Sequence, residues 1–487
     1  MRAPGPRGGV PVRRFREDQA GLLMELRRTY GGVVRYRVGP YRVHQVTEPD
    51  LVRRVLKDNG ENFTRGVFYD RFRLFFGEGL LTADGEAWRM RRAVAQPFFR
   101  HGVLHESVPL IAECVEDLRR RWAGPAAGGG PVDIVPEMMR LAMGVVGRVI
   151  LGADPRPRAG DLVPAVAFAA PAMIPGAPGQ LLPSWFPAPY PRRVRWSRRV
   201  IDAAMDEVID AHSASRCPVT GRTADGPGDG PGDGPSVPVP GRDGGAGADR
   251  AGGVAEAGAG RAGGPEEGQV LAAALLDAVD PATGRPWTRE QVRDELKTHF
   301  LAGHETTGCG LAWALYAVAT HPRVRRRLVA EIDDVLAGRA PTADDLAKMP
   351  YLRQVVDESL RLHPPIPLFP RGAVRDVDLG GHLIPKGTSV FMLPYVAHHD
   401  PDSWEDPERF DPDRFDPSRP GPSRYTYFPF GGGVRRCIGS HLATLEIRVA
   451  VAMILQRYTL TPARPAEPRA LLSLRPRDGM PMTIRPR

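Results

Sequence analysis

The chain has 487 residues, of which 42% are hydrophobic and 25% charged, and its formal net charge at pH 7 is +9. This length and composition are typical of a soluble globular enzyme with a large core. The arginines that cause the charge excess are scattered along the chain and not clustered with aromatic residues, so no nucleic-acid partner is expected. Part of the excess could instead form a docking face for an acidic protein.

Cysteine usage and the absence of long apolar runs indicate in which cellular compartment the protein is expected. Cys114, Cys217, Cys309 and Cys437 form no C-x-x-C pair, which fits a reducing compartment and argues against a structural zinc site. No run approaches the roughly 20 apolar residues that span a bilayer, and the N-terminus has no apolar signal-peptide segment. We therefore expect a cytoplasmic protein with no stable membrane anchor.

The hydrophobic pattern predicts a mainly α protein with a smaller β-rich lobe. Residues 33–46 alternate apolar and polar side chains around Gly39 and Pro40, which predicts a β-hairpin. Strand-like sequence returns at 374–393, where glycines and a proline interrupt it. Apolar residues recur at helical spacing between and beside these segments, over 104–123, 132–151, 195–212, 289–320, 322–337 and 350–362.

Residues 217–268 differ in composition from the rest of the chain. About half of residues 221–264 are glycine or proline, and such a segment cannot bury enough apolar surface to offset the entropy lost on ordering. Helical sequence resumes directly after it. We therefore expect a disordered surface insertion within a single domain that spans 1–487.

The longest predicted helix, 289–320, carries a polar motif at its centre. Its start has the capping-box pair Thr288 and Gln291, and about 32 residues at 1.5 Å rise give roughly 48 Å. Ala302 and Thr306 are small and share one face, so a flat group could approach there. Glu305 beside Thr306 supplies an acid next to an alcohol, a pair able to pass protons inward. The alternative is a polar turn on an amphipathic helix.

The stretch "FPFGGGVRRCIGS", residues 428–440, isolates one cysteine on a glycine-rich loop. Glycines permit tight backbone conformations, and the adjacent arginines would lower the pKa of the Cys437 thiol and favour the thiolate. Such a sulfur either attacks a substrate or holds a metal. A buried, inert thiol is the structural alternative.

Two charged motifs accompany this loop. Glu358 and Arg361 lie three residues apart on one predicted helix face, and Arg409 in "PERF" could bridge to Glu358 and hold two segments together. Without that bridge, the pair would be an ordinary surface ion pair. Trp88 and Arg92 also share a helix face, where an indole N–H and a guanidinium could hold a carboxylate, unless Trp88 is simply core.

These motifs together resemble the cytochrome P-450 family over nearly the whole chain. The haem-binding signature Phe-x-x-Gly-x-Arg-x-Cys-x-Gly is matched by Phe430, Gly433, Arg435, Cys437 and Gly439. The long-helix signature matches at 302–307, Glu-x-x-Arg at 358–361, the later arginine at 409 and Trp-x-x-x-Arg at 88–92, all in the family's order. The insertion at 217–268 departs from the pattern in what resembles a helix–helix loop.

The resemblance implies a role for each residue. Cys437 would be the axial thiolate of haem b, iron protoporphyrin IX, with Phe430 packed near the sulfur. Glycine N–H groups of the loop would point at that sulfur, at 431, 433 and 439. Ala302 would lie against the haem. The propionates would meet Trp88, Arg92, Arg371 and Arg435. Glu358, Arg361 and Arg409 would form a structural triad beneath the loop.

The implied reaction is mono-oxygenation of a hydrophobic substrate. Glu305 and Thr306 would deliver protons, and electrons would come from a separate ferredoxin or flavodoxin with its reductase. A largely apolar lining predicts a terpenoid, polyketide or fatty acyl substrate, and we expect it to belong to specialised metabolism. By family position that lining comprises residues 61–80, with Phe68, Phe72, Phe75 and Phe76, then residues 164–189, Leu301, Ala302 and residues 366–369 and 471–482.

Two other classes remain open from the sequence. One is a haem-thiolate enzyme that uses peroxide or isomerises its substrate without activating O2, and the acid–alcohol pair at 305–306 argues against it. The other is a non-catalytic haem sensor, which would need neither an apolar pocket nor a proton relay.

Overall fold

The computed structural model describes residues 1–58, 60–173, 188–214, 269–423 and 425–487. The predicted insertion 217–268 lies outside this part of the chain. The described helices are α1 (Val12–Glu17), α2 (Gln19–Tyr30), α3 (Pro49–Arg53), α4 (Arg73–Phe76), α5 (Gly85–Ala95), α6 (His101–His105), α7 (Val108–Gly128), α8 (Ile134–Val146), α9 (Ala159–Ala172), α10 (Pro189–Ala214), α11 (Leu271–Leu276), α12 (Arg289–Thr320), α13 (Pro322–Leu336), α14 (Ala343–Ala347), α15 (Pro350–Leu362), α16 (Pro394–His398) and α17 (Ser440–Arg457).

The described strands are short and form four small sheets. They are β1 (Val33–Val38), β2 (Tyr41–Val46), β3 (Phe63–Thr64), β4 (Pro131–Asp133), β5 (Phe369–Ala373), β6 (Val377–Leu379), β7 (His382–Ile384), β8 (Ser389–Met392), β9 (Tyr458–Pro462), β10 (Pro468–Ala470), β11 (Leu474–Pro476) and β12 (Pro481–Pro486). The sheets have the orders β1-β2-β8-β5-β3, β10-β11, β4-β12-β9 and β6-β7. The predicted mainly α fold with a smaller β-rich lobe is confirmed.

The β-rich lobe is built on the predicted hairpin. Strands β1 and β2 pair antiparallel, with Val33 opposite Val46 and Val38 opposite Tyr41. Gly39 turns the chain at φ +58, a conformation that costs glycine little. Because successive side chains of a strand face opposite sides, the apolar residues of β1 enter the lobe's core while Arg35 and Arg37 stay exposed.

Helix α12 runs through the main core and organises the helices around it. Both hydrogen bonds of the predicted capping box form, between Thr288 and Gln291. Most of the helix is buried, and α8, α10, α15 and α17 pack against it. Gly308 allows the approach of α8, because a Cβ there would lie 2.9 Å from the Cα of Met139.

The apolar side chains separate into one large and two small clusters. The large cluster joins the helices around α12, and the small ones lie in the β-rich lobe. No described helix is long and apolar enough to cross a membrane. The loop that carries Cys437 lies between the two lobes, because it follows the β-lobe residue Phe428 and leads into α17 of the large cluster.

Candidate active site

The Cys437 loop is shaped by glycines and closes on itself. Gly431 and Gly433 have φ +69 and +66, values that glycine adopts readily. A Cβ on Gly433 would lie 1.8 Å from the Leu56 carbonyl oxygen, so no other residue fits without moving the backbone. The Cys437 N–H donates to the Phe430 carbonyl at 2.9 Å. The loop therefore holds the cysteine in a fixed position.

Cys437 is an exposed residue, whereas Cys114 and Cys309 are buried. Protein atoms nevertheless surround it closely, and this burial raises the pKa of the Cys437 thiol despite a hydrogen bond from Gly439 and the charges of Arg92 and Arg436. The predicted effect of the adjacent arginines is confirmed in direction for Arg436, whose charge lowers the pKa, but burial outweighs it and the predicted thiolate is not favoured. A metal ion would supply what the arginines do not, because metal coordination deprotonates a thiol.

Three guanidinium groups meet around Tyr69 and Asp84. Arg65 donates to the Tyr69 hydroxyl at 3.2 Å, and Arg435 donates to Asp84 Oδ1 at 2.5 Å. Burial, followed by the charge of Arg65, lowers the pKa of Arg371 to about 10, and the same two causes lower that of Arg435 to about 10. One carboxylate against three cations leaves two positive charges uncompensated in this cluster.

Arg65 is a member of this cluster that the sequence reasoning missed. It is 7% exposed, and its buried Nε has no hydrogen-bond partner. A buried polar group without a partner is costly, so the cluster is suited to bind a further acceptor such as a carboxylate. No periodic pattern or motif marks Arg65 in the sequence; only the antiparallel pairing of β3 with β5 brings it beside Arg371.

Trp88 and Arg92 lie on α5 as predicted but have separate partners. The Arg435 guanidinium lies 4.5 Å from the centre of a Trp88 ring, a cation–π contact. Arg92 Nη1 donates to the Arg436 carbonyl at 3.1 Å and Nε donates to Gln96 at 3.2 Å. Trp88 thus borders the arginine cluster, while Arg92 ties α5 to the Cys437 loop.

The predicted Glu358–Arg361 pair is fully buried. Arg361 donates from Nε and Nη2 to the two carboxylate oxygens of Glu358 at 2.7 and 2.9 Å, and both side chains have 0% exposure. The backbone N–H of Asp411 also donates to Glu358 at 2.9 Å. The pair therefore joins α15 to the segment that precedes the Cys437 loop, which an ordinary surface ion pair would not do.

The prediction that the Arg409 side chain bridges to Glu358 is wrong. Arg409 is exposed and contributes its backbone carbonyl, which accepts from Arg361 Nη2 at 3.1 Å. The guanidinium beside Glu358 belongs to Arg414, whose Nε lies 3.4 Å from Oε1. The sequence "PERFDPDRF" holds two arginines in the same local pattern, and only the chain path, which turns at Asp406 with φ +44, decides which one faces inward.

His398 connects the ion pair to the Cys437 loop. Arg361 Nη1 donates to the His398 carbonyl at 2.7 Å, and His398 Nδ1 lies 3.0 Å from the Arg361 carbonyl. On its other side the imidazole Nε2 accepts from the Phe428 N–H at 3.0 Å. These contacts require a neutral ring with its proton on Nδ1, and burial lowers the pKa of His398 well below its ordinary value. The sequence did not reveal this link.

Glu305 and Thr306 lie at the middle of α12 but on different faces. The half-exposed Thr306 donates its hydroxyl to the Ala302 carbonyl at 2.7 Å, and Ala302 is itself exposed. Glu305 is buried, and its Oε1 accepts from Ser473 and Arg475. The prediction placed acid and alcohol side by side, whereas the described contacts of the two side chains are to different partners.

The comparisons with known proteins agree with this geometry. The cytochrome P-450 family model matches residues 8–479. The chain belongs to the cytochrome P-450 family. Cyclooctatin synthase of Streptomyces melanosporofaciens is 30% identical over 94% of this chain and 88% of its own length. Cyclooctat-9-en-7-ol 5-monooxygenase of the same organism is 30% identical over 89% and 83%. A crystal structure of a cytochrome P-450 aligns over 100% of both chains at 25% identity, with a TM-score of 0.78.

The chain is therefore a cytochrome P-450 monooxygenase, an enzyme class that needs O2, a haem-thiolate cofactor and a source of electrons. The residues present fit a haem. Cys437 is the exposed residue among the three described cysteines, and the arginine cluster has two uncompensated positive charges and the unpartnered Arg65 Nε. A haem carries an iron, which would bind the Cys437 sulfur, and two carboxylates, which would meet the arginine cluster.

Part of the pocket lining expected for this cytochrome P-450 is not supported by the structure. Phe68 packs between Tyr41 and Phe391, with ring centres 4.9 and 5.1 Å away. Phe75 and Phe76 are 1% and 3% exposed in the main core, so they offer little surface to a substrate. Apolar residues from the expected set that keep accessible surface include Phe72, Ala167, Phe168, Ala302, Ile366, Leu368, Phe369, Leu471 and Leu472. Residues 174–187 of the expected lining lie outside the described part.

Arg414 and Arg409 offer a matched test of the triad. Arg414→Gln should lower the free energy of unfolding by about 1–3 kcal/mol, because it removes one of the cations that face a buried carboxylate. Arg409→Gln should change it by no more than about 0.5 kcal/mol, since its carbonyl remains. Urea unfolding of both variants measures the difference. A larger loss for Arg409→Gln would show that the assignment is reversed.

His398 should make the enzyme less stable in acid. The pKa of His398 is lowered below its ordinary value of 6.5 in the folded state, so below pH 6.5 the unfolded chain takes up a proton that the folded chain does not. Stability is then lost as pH falls, by up to about 1.4 kcal/mol per pH unit.

The measurement for His398 is urea unfolding between pH 5 and 8. His398→Gln keeps one donor and one acceptor but does not titrate, so its stability should fall less steeply below pH 6.5 than that of the wild type. His101→Gln, at an exposed position, serves as the control and should follow the wild type. Equal slopes for His398→Gln and the wild type would contradict the role given to His398.

Proposed function

We propose that this monooxygenase oxidises a medium-to-large hydrophobic organic substrate in specialised metabolism. One atom of O2 enters the substrate and the other leaves as water, with two electrons and two protons consumed. The observation that carries the proposal is the exposed Cys437 on the same loop as Arg435, which belongs to an arginine cluster with uncompensated charge. Bound haem supplies the activation of O2, and the protein residues bind, orient and supply protons.

The cofactor is proposed to be haem b, with Cys437 as the iron ligand. Phe430 accepts the Cys437 N–H at 2.9 Å, and Gly439 donates its backbone N–H to the sulfur, so both would fix the sulfur and tune its basicity. Gly431 gives the loop the turn that this position needs. The proposed partners of the two propionates are Trp88, Arg92, Arg371 and Arg435, together with the newly found Arg65.

The substrate face of α12 is proposed to supply protons. Ala302 is small enough for a flat macrocycle to lie against the helix, and Thr306, one turn later, has a half-exposed hydroxyl. A threonine hydroxyl that both donates and accepts can hand a proton to the cavity. Glu305 is the proposed acid that resupplies it.

The substrate class follows from the apolar lining and from the relatives. The accessible residues expected to face the cavity are aliphatic or aromatic at Phe72, Ile366, Leu368 and Phe369, which favours a ligand with a large apolar surface. The name of the Streptomyces relative denotes an unsaturated alcohol, oxidised at position 5. We propose a terpenoid in first place, ahead of a polyketide or a fatty acyl chain.

Electrons are proposed to arrive from a ferredoxin or flavodoxin with its reductase. A cavity of about 290 Å³ lies against the Cys437 loop and is lined by Lys57, Tyr425, Gly431, Gly432, Gly433, Val434 and Arg436. Val434 is 66% exposed, and Arg92 and Arg436 lie close enough to act on the thiol. An apolar contact ringed by cations suits a small acidic electron carrier.

Two further proposals concern location and domain organisation. We propose a cytoplasmic location, because the described cysteines are free thiols and Cys437 has to stay reduced to act as a ligand. We also propose that the chain is one catalytic domain with residues 217–268 as a tolerated insertion, a proposal that is supported by their composition alone.

Cys437→Ser should abolish the red-shifted ferrous–carbonyl absorption band that a thiolate-ligated haem gives, because a serine oxygen does not provide the same ligand. Cys114→Ala should keep the band, since that thiol is buried in the core, where burial raises its pKa to about 11. Difference spectra of the two purified variants measure this. An intact band in Cys437→Ser would rule out the assigned ligand.

Hydrophobic ligands should shift the haem absorption spectrum on binding. A panel of terpenoids, polyketides and fatty acids, titrated into the purified holoenzyme, should give saturable shifts for terpenoids first. The binders are then incubated with surrogate ferredoxin, reductase and NADPH, and an oxidised product is expected. Product formed from peroxide but not from O2 would favour the peroxide-using class. A rearranged product formed without reductant would favour the isomerising class. The absence of any product would favour the haem sensor.

A further inference from the structure

Helix α12 presents its acid and its alcohol in different directions. Consecutive residues of an α-helix are about 100° apart around the axis, so Thr306 shares its face with Ala302, and Glu305 shares its face with Cys309 and Trp313. The Thr306 hydroxyl is used within its own face, where it donates to the Ala302 carbonyl. Some other part of the protein therefore holds Glu305.

The hairpin of β10 and β11 holds the Glu305 face over two helical turns. Ser473 donates to Glu305 Oε1 at 2.5 Å, Arg475 donates to the same oxygen from Nε at 3.1 Å, and Arg475 Nη2 lies 2.7 Å from it as an ion pair. Further along the helix, Trp313 donates its indole N–H to the Leu474 carbonyl at 2.8 Å. These contacts attach the hairpin to Glu305 and, two helical turns further along α12, to Trp313.

The charges at this contact favour the closed arrangement. The Glu305 side chain is 7% exposed and that of Arg475 is 24% exposed, so the attraction is only partly screened by water. Burial works against the Arg475 cation, yet Glu305 raises its pKa. The other titratable groups that face Glu305 are His304, whose pKa burial lowers, and Cys309, whose pKa burial raises to about 12. Arg475 is thus the charged partner among them.

We propose that Arg475, with Ser473, is a latch that holds Glu305 away from Thr306, and that Glu305 delivers a proton only after the latch opens. Arg475 is then a positioning residue that acts through Glu305. This inference rests on the proposed roles of Glu305 and Thr306 in proton supply. The turn of the hairpin, Leu471–Ser473, belongs to the segment expected to line the substrate pocket, so a bound substrate would contact the element that carries the latch.

The chain offers a matched pair of arginines for the test. Arg475→Gln removes the latch cation, and Arg475→Lys keeps a positive charge. Arg469 lies directly opposite Arg475 in the register of the same hairpin, so Arg469→Gln controls for the loss of an arginine there. The holoenzymes are supplied with surrogate ferredoxin, reductase and NADPH without substrate, and the consumption of O2 is followed in H2O and in D2O between pH 5.5 and 9. The products, hydrogen peroxide and water, are quantified.

We expect Arg475→Gln to raise the rate of O2 consumption across this pH range, because Glu305 is then no longer held by Arg475 and proton supply does not wait for the latch to open. The solvent isotope effect on O2 consumption should rise, since latch opening no longer masks the proton-transfer step. Arg475→Lys should lie between Arg475→Gln and the wild type, and Arg469→Gln should match the wild type. Equal profiles for Arg475→Gln and Arg469→Gln would overturn the latch.

Two more variants separate this inference from the function on which it rests. Glu305→Gln should slow the proton-dependent rate by roughly 100-fold or more, as loss of a general acid does, and Thr306→Ala should shift the products towards hydrogen peroxide. If both match the wild type, the proton path is wrong and the latch is excluded with it. If both have their effects while Arg475→Gln and the wild type are indistinguishable, only the latch is excluded.

A readout other than turnover tests the contact directly. In a double-mutant cycle of urea unfolding, Glu305→Gln and Arg475→Gln together should destabilise the protein less than the sum of the two single changes. Strict additivity would show that the two side chains are not coupled and would overturn the proposal. If Arg475→Gln retains too little haem for this purpose, Ser473→Ala, which removes one neutral donor, takes its place in the cycle and in the pH profiles.

Discussion

The buried ion pair of Glu358 and Arg361 is the interaction on which the site depends. Two charges with 0% exposure would be strongly destabilising unless every donor and acceptor had a partner. Here the Arg361 nitrogens reach Glu358, the His398 carbonyl and the Arg409 carbonyl. These partners lie far apart in sequence, so satisfying the pair forces α15, α16 and the segment before the Cys437 loop into one arrangement. The pair contributes less as an attraction than as a constraint on which segments can meet.

His398 links this ion pair to the loop that positions the Cys437 sulfur. Its neutral ring bridges the Arg361 carbonyl and the Phe428 N–H, and Phe428 begins the loop whose glycines turn the chain towards Cys437. The loop then closes through the hydrogen bond from Cys437 to the Phe430 carbonyl. The backbone at Cys437 is therefore fixed in position. Because burial raises the pKa of the thiol, coordination to a metal is the route by which it would become a thiolate. The fold thus fixes the position of the proposed ligand, but it does not by itself stabilise the negative charge of the thiolate.

The arginine cluster differs from the Cys437 loop in this respect, because its positive charge exceeds the negative charge beside it. Burial and mutual repulsion lower the pKa of Arg371 and of Arg435, and Asp84 compensates only one of the three guanidinium groups. Such a cluster destabilises the protein alone and becomes favourable when it binds anions. We therefore expect cofactor binding to contribute to the stability of the interface between the two lobes, since Arg65 and Arg371 come from the β-rich lobe and Arg435 from the loop between the lobes.

The sequence by itself determined the fold class, the family and the long helix with its cap, and it singled out Cys437, because periodicity, capping and the Cys437 signature are local patterns that can be recognised without coordinates. It did not determine which side chains meet across the chain. Arg414 rather than Arg409, the part played by His398 and Arg65, and the separation of Glu305 from Thr306 all depend on contacts between segments tens to hundreds of residues apart. The acid and the alcohol illustrate the reason: adjacency in sequence places them about 100° apart on a helix, and only the β10–β11 hairpin, which packs there through tertiary structure, decides that Glu305 is held by Arg475.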